Sequence, residues 1–198
     1  DSRDQDADIW IWDFSRRTLD RRTFDPAIDT LPVWSPDGRR LAFASQRTGP
    51  GQSLFRMASD GTGTVEALTS ARGHFQAPTS FSPDGTKLIL RDGTQLAAGG
   101  SDLMLLTLDG KAQPTSLVGT PMFDETNGEI SPDGHGLAYQ SNDSGQGQNQ
   151  VYVVPFPNVG GGKWLVCVGG GRMPSWSRDG REVFYIDANN FLTSVPVQ

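Results

Sequence analysis

The tetrapeptide Ser-Pro-Asp-Gly stands at residues 35–38, 82–85 and 131–134, and an altered copy, Ser-Arg-Asp-Gly, stands at 177–180. The copies start 47, 49 and 46 residues apart (35 to 82, 82 to 131, 131 to 177). A fixed period of this size marks a stacked or radial repeat, in which each unit buries its apolar surface only against its neighbours. Each copy is flanked by short apolar runs. Leu31–Trp34 leads into the first turn and Arg40–Ala44 leads out; Glu182–Ile186 leads out of the fourth. Proline pre-sets φ at the second turn position, serine and aspartate bond back to the backbone, and glycine accepts the left-handed conformation. This is the chemistry of a type I turn with a glycine bulge closing a β-hairpin. At the fourth turn Arg178 keeps the hairpin but gives up pre-organisation.

A second hairpin follows each of the first three. Leu54–Met57 precedes a turn at Asp60-Gly61, Leu103–Leu108 precedes Asp109-Gly110, and Val151–Val154 precedes Pro157-Asn158. Four strands per unit at this period make the blade of a β-propeller, and the high glycine and proline content (24 and 13 residues) fits many short strands joined by tight turns. The fold class is therefore all-β: a propeller of four-stranded antiparallel blades, about four repeats, with partial blades at both termini. Residues 1–198 read as a single propeller domain, a fragment of a larger propeller or one completed by another chain. The residue before each turn (Trp34, Phe81, Ile130, Trp176) is expected to pack between blades.

The pattern Trp-Ser-Pro-Asp-Gly-x-x-Leu-Ala-Phe at 34–43, preceded by Ile9-Trp-Ile-Trp-Asp13, resembles the TolB-like propeller repeat. Similar repeats build the propellers of TolB proteins, of prolyl-oligopeptidase-type peptidases and of tricorn proteases. The closing stretch, Tyr152–Asn158 through Gly169–Gly171, Pro174–Ser177 and Arg181–Tyr185, resembles propellers that follow the kinase domain of bacterial serine/threonine kinases. The resemblance implies a fold and a binding role more than an activity. No Gly-x-Ser-x-Gly nucleophile elbow is present, and only two histidines exist, His74 and His135, against the histidine-rich metal centre that the oligogalacturonate lyases of this group use.

Other motifs reduce to structure. Gly160-Gly-Gly-Lys163 lacks the serine or threonine and the spacing of a phosphate loop. Asp4-x-Asp6-x-Asp8 has Ile9 where a calcium loop needs glycine. The lone Cys167, in the apolar run 164–168, reads as a small buried hydrophobe. The turn aspartates serve the turns. A net charge of −6 argues against nucleic acid and anionic membrane, and no apolar run of membrane-spanning length occurs, so no membrane insertion is expected. No cofactor and no metal are expected. One cysteine leaves the compartment open, with the periplasm or another extracytoplasmic setting preferred.

In a propeller the loops between blades and those joining each blade's two hairpins share the rim opposite the turns. Their residues differ from unit to unit, as expected of a recognition surface on a rigid scaffold. The between-blade loops supply Asp29, Thr30, His74, Gln76, Asp124, Glu125, Arg172 and Met173; the within-blade loops are 47–52, 92–100, 142–149 and 187–190. From these, Asp29, Arg47, His74, Gln76, Asp124, Glu125, Asn142 and Arg172 are the candidate ligand-binding residues, with no catalytic residue assigned. The leading reading is a non-catalytic module that binds a protein, peptide or glycan on this rim. One rival is a hydrolase or lyase using Asp124, Glu125, His74 and Arg172. A third is a structural unit that homo-oligomerises through open blade edges.

Overall fold

The computed structural model describes residues 7–71, 73–94, 100–109, 113–120, 122–144 and 147–197. Asp4, Asp6, the centre of the 92–100 loop, Gly110 and residues 145–146 lie outside them. Contacts divide the chain into two compact units, Asp1–Pro78 and Thr79–Gln198.

The described residues form antiparallel sheets in strict chain order. Strands β1 (Trp10–Asp13) and β2 (Thr18–Arg21) make a two-stranded sheet. Strands β3 (Asp29–Trp34), β4 (Arg40–Ser45), β5 (Ser53–Ala58) and β6 (Glu66–Ala67) make the first full blade. The second contains β7 (His74–Phe81), β8 (Lys87–Thr94), β9 (Asp102–Thr107) and β10 (Thr115–Val118). The third contains β11 (Glu125–Ile130), β12 (Gly136–Ser141), β13 (Gln150–Pro155) and β14 (Trp164–Leu165). A three-stranded sheet of β15 (Gly171–Trp176), β16 (Glu182–Asp187) and β17 (Leu192–Pro196) completes the series. The phase read from the turns is thus the phase of the sheets, with full blades between partial ones.

Each turn repeats one set of hydrogen bonds. Ser35 Oγ donates to Asp37 Oδ1 at 2.6 Å and accepts from the Arg40 amide at 2.9 Å. The Gly38 amide, at φ 68°, donates to the Ser35 carbonyl at 2.9 Å. Ser82, Ser131 and Ser177 make the equivalent bonds to Asp84, Asp133 and Asp179, and to the amides of Lys87, Gly136 and Glu182. The fourth turn keeps them although Arg178 replaces proline.

Within the first unit, Ile9 and Ile11 join a core with Leu41, Phe43, Phe55 and Met57. Trp10 and Trp12 alternate onto the other face and are 51% and 47% exposed. Within the second unit, two clusters fill the spaces between sheets. One joins Ile89 and Leu103 to Ile130, Leu137 and Tyr139, and the other joins Ala138, Val151 and Val153 to Val183 and Tyr185. Polar staples accompany them. Ser80 Oγ accepts from the Ile130 amide at 3.1 Å, and Trp176 Nε1 donates to the Glu129 carbonyl at 3.0 Å.

The expected inter-blade role holds for Ile130 and Trp176, which pack against the neighbouring sheet, and Phe81 is buried, while Trp34 is half exposed. Trp176 is covered by the inner strand β11 of the preceding sheet.

Two outcomes follow from the turn geometry. Arg178→Pro should raise stability by about 0.5–1 kcal/mol, seen as a higher urea midpoint, because proline reduces unfolded-chain freedom at a position already turned for it. The Asp84 carboxyl is held down, from an ordinary value near 3.8 to about 2, first by the Ser82 hydroxyl and then by the Thr86 amide. Asp37, Asp133 and Asp179 are lowered by the same two kinds of donor. A lowered folded-state pKa contributes stability that is complete above the unfolded value and disappears as pH falls through the folded one. Denaturation midpoints should therefore drop between roughly pH 4 and pH 2, and Asp84→Asn should flatten that drop.

Candidate functional site

Burial and hydrogen bonding sort the candidate residues into those closed within their own sheet and those open to solvent. Asp29 opens β3, is 1% exposed and receives Arg47 Nη2 on Oδ2 at 2.6 Å. The Arg47 guanidinium also donates from Nε to Ser45 Oγ and lies 4.8 Å from the centre of the Phe55 ring. The pair is an internal brace between the inner strand and the loop that leaves β4. A buried carboxylate survives only with such a partner.

Gln76 is buried in β7 and accepts from Thr69 Oγ1 at 2.5 Å. Glu125 opens β11 at 2% exposure. Its carboxylate accepts from the Thr120 amide, the Thr120 hydroxyl and the Ser141 hydroxyl, at 3.1, 3.1 and 3.0 Å. Asp29, Gln76 and Glu125 each lie six residues before a turn serine (29 to 35, 76 to 82, 125 to 131). Different residue types thus occupy one repeated place, where a buried acceptor holds the start of the inner strand. Burial raises the Glu125 pKa, opposed by the Ser141 and Thr120 donors.

Asp124 stands just before β11 and takes different partners from Glu125. Asp124 Oδ1 accepts from the Ser101 amide at 2.8 Å, while its own amide donates to Asn142 Oδ1 at 2.8 Å. Asp124 and Asn142 thereby tie together three loops at one end of the third blade. His74, exposed at the start of β7, offers its carbonyl to the Gln52 amide at 2.8 Å.

Arg172 is placed differently. It lines a cavity of about 240 Å³ with Gln148, Asn149, Gly170, Gly171 and Asp187. These residues come from the start of β15, the end of β16 and the loop before β13, all at the strand ends opposite the turns. One Arg172 nitrogen, Nη2, donates to Asn190 Oδ1 at 2.6 Å, which sets the guanidinium direction. Asp187 Oδ1 is occupied by the amides of Asn189 and Phe191, both at 2.8 Å. Gly170 keeps one wall at backbone level, since a Cβ there would lie 3.0 Å from Gln148 Oε1 and 3.5 Å from the Ala188 Cβ, while Gly171 lets β15 pack against the core behind it. A Cβ on Gly171 would lie 2.8 Å from the Tyr185 ring and 3.0 Å from Cys167. The cavity offers a cation, a carboxylate, two side-chain amides and peptide groups, a set suited to peptide or hydroxyl recognition.

The contribution of Cys167 was not visible from hydropathy. Its sulfur accepts from the Val151 amide at 3.1 Å and donates to Gln150 Oε1 at 2.9 Å. Thr69 Oγ1 receives the Leu54 amide and Thr23 Oγ1 receives the Ile9 amide, each at 2.9 Å. Threonine at the same phase in two other sheets is the signal that marks Cys167 as a polar latch.

No family model matches the chain. An 84-residue segment is 34% identical to the uncharacterized peptidase YuxL of Bacillus subtilis (strain 168), covering 42% of this chain and 12% of that protein. The crystal structure of TolB from Acinetobacter baumannii is similar at a TM-score of 0.70 and 20% identity, over 94% of this chain and 48% of that one. An oligogalacturonate lyase in complex with manganese is similar at a TM-score of 0.66 and 13% identity, over 92% of this chain and 51% of that one. The chain thus spans about half the length of these solved structures and far less of the curated relative.

Glu125 offers a direct check on the scaffold role. Glu125→Ala should cost about 2–3 kcal/mol by leaving three donors unpaired. Glu125→Gln, with Gln76 as its precedent, should stay within about 1 kcal/mol of the parent. A raised folded-state pKa gives stability that is complete below the unfolded value and lost as pH rises through the folded one. Any advantage of the glutamine variant near neutral pH should accordingly shrink on acidification, as read from paired urea titrations. Shared sheet order, repeat phase and neighbours converge on one conclusion: this chain has the TolB-like β-propeller fold.

Proposed function

We propose that the chain is a non-catalytic recognition module that binds a protein, peptide or glycan at the strand ends opposite the turns, with Arg172 as its charged anchor. The carrying observation is the cavity of about 240 Å³ in which Arg172 meets Gln148, Asn149 and Asp187. Of the eight candidates, Asp29, Arg47, Gln76 and Glu125 serve internal bonds, and Asp124 and Asn142 hold loops. Arg172 is the one that lines this cavity, so the proposal centres there. A guanidinium with donors to spare, beside amides that both donate and accept, favours a ligand carrying a carboxylate or several hydroxyls.

The test is binding of the chain to immobilised peptide and glycan panels, repeated with Arg172→Ala and Gln148→Ala. Each variant should weaken binding about tenfold or more while keeping the thermal midpoint. Formation of a cleaved or eliminated product by the parent chain in the same panels would overturn the non-catalytic reading. Unchanged binding by both variants would move the site away from Arg172.

A further inference from the structure

The first full blade breaks the repeat at one corner. Seven residues after the turn serines of three blades (35 to 42, 82 to 89, 131 to 138), a row of paired residues crosses the sheet. The row is Ile89–Leu105–Thr115 in the second blade and Ala138–Val153–Trp164 in the third. Leu105 and Val153 belong to apolar clusters. In the first blade the row is Ala42–Arg56–Glu66. A charged pair thus stands where the fold elsewhere places an apolar side chain. Departures of this kind from a consistent pattern concentrate at functional sites.

Around that pair lies a cavity of about 280 Å³, lined by Arg40, Arg56, Thr62, Gly63, Thr64 and Glu66 together with the ends of their strands. All of its lining belongs to the first unit. Arg56 donates from Nε and Nη2 to a single oxygen, Glu66 Oε2, at 3.2 and 2.6 Å, which leaves Nη1 for a further acceptor. Arg40 opens β4, and among the described residues its guanidinium donates no hydrogen bond. Its charge nevertheless reaches the same carboxyl. Glu66 is held below the ordinary carboxylate range, first by the Arg56 hydrogen bond and also by Arg40. Two guanidinium groups against one carboxylate leave the corner with an excess of positive charge.

The loop beside the cavity is fixed from within. Asp60 Oδ1 accepts from the Thr62 amide and hydroxyl, at 2.9 and 2.7 Å, and the Gly61 amide donates to the Ala58 carbonyl at 3.1 Å. These bonds turn the Asp60 carboxylate onto its own loop. Gly63 follows at φ 77°, in the left-handed region. Among the described residues the amides of Gly63 and Thr64, and the Thr64 hydroxyl, have no partner. Successive free amides at a left-handed turn form a concavity that receives anionic oxygens.

We propose that this corner binds a phosphoryl group, with Arg40 and Arg56 Nη1 on its oxygens and the Gly63 and Thr64 amides and the Thr64 hydroxyl completing the shell. The donors come from two strands and a loop, and a phosphoryl group has three terminal oxygens to meet them where a carboxylate has two. Its second negative charge also answers the guanidinium that Glu66 leaves unmatched. The cavity is larger than a bare anion needs, so free phosphate and a phosphate monoester both fit. The site is independent of the Arg172 cavity, which belongs to the other unit.

The probes are sodium phosphate and glycerol 3-phosphate, titrated into the full chain at constant ionic strength and read by amide and arginine Nε NMR shifts. Each should move Gly63, Thr64 and Arg56 saturably, with a Kd of about 1 mM or tighter, and sodium acetate should not. Arg40→Ala should weaken binding about tenfold or more. Arg56→Leu, which copies Leu105 at the same register, should do likewise, with the thermal midpoint as its folding control. If that variant does not fold, the exposed Arg40 decides. Glu66→Gln should tighten binding several-fold by removing a competing carboxylate, a gain that a merely structural ion pair would not give. Tighter binding of the ester would support the proposal and assign the remaining space to an organic group; equal binding would support it with free phosphate as the ligand. Absence of a saturable shift at Gly63 and Thr64 with either probe, an equal response to acetate, or full affinity after Arg40→Ala would overturn it.

Discussion

The four sheets that follow β2 each hang from a serine hydroxyl. In each turn Oγ accepts the amide five residues on and donates to the aspartate two residues on, so one side chain fixes both where the chain reverses and where pairing resumes. In a sheet a slip of one residue would exchange the buried and exposed faces of the following strand. Leu41, Phe43, Leu137, Tyr139, Val183 and Tyr185 all reach the interior because the turn sets the count. The same bonds survive at Arg178, which shows that serine, aspartate and glycine determine the turn while proline adds rigidity.

This dependence explains which parts of the fold were legible. The turns advertise themselves through four rigid letters, and sheet order follows from their phase. The fourth strands do not, since two residues such as Glu66-Ala67 carry no periodicity; they are held by Thr69 and its counterparts through side-chain bonds that pattern cannot reveal. Cys167 was read as apolar for that reason. Trp34 reads identically to Trp176, yet it is half exposed while Trp176 is partly buried and bonded to the Glu129 carbonyl, a property of neighbours and not of the residue.

The candidate site was legible as a region and not residue by residue. Loop position named Arg172 and the segments containing Gln148, Asn149 and Asp187, and the cavity lies among them. Variation in residue type concealed a repeat at Asp29, Gln76 and Glu125. A buried acceptor is needed there, and aspartate with arginine, glutamine with threonine, or glutamate with two hydroxyls all meet the need. Variation is therefore a sound guide to recognition only after burial has removed the positions that solve one structural problem in several ways. The fold itself does not choose between binding and catalysis, since a TolB, a lyase and a peptidase all stand among the similar proteins.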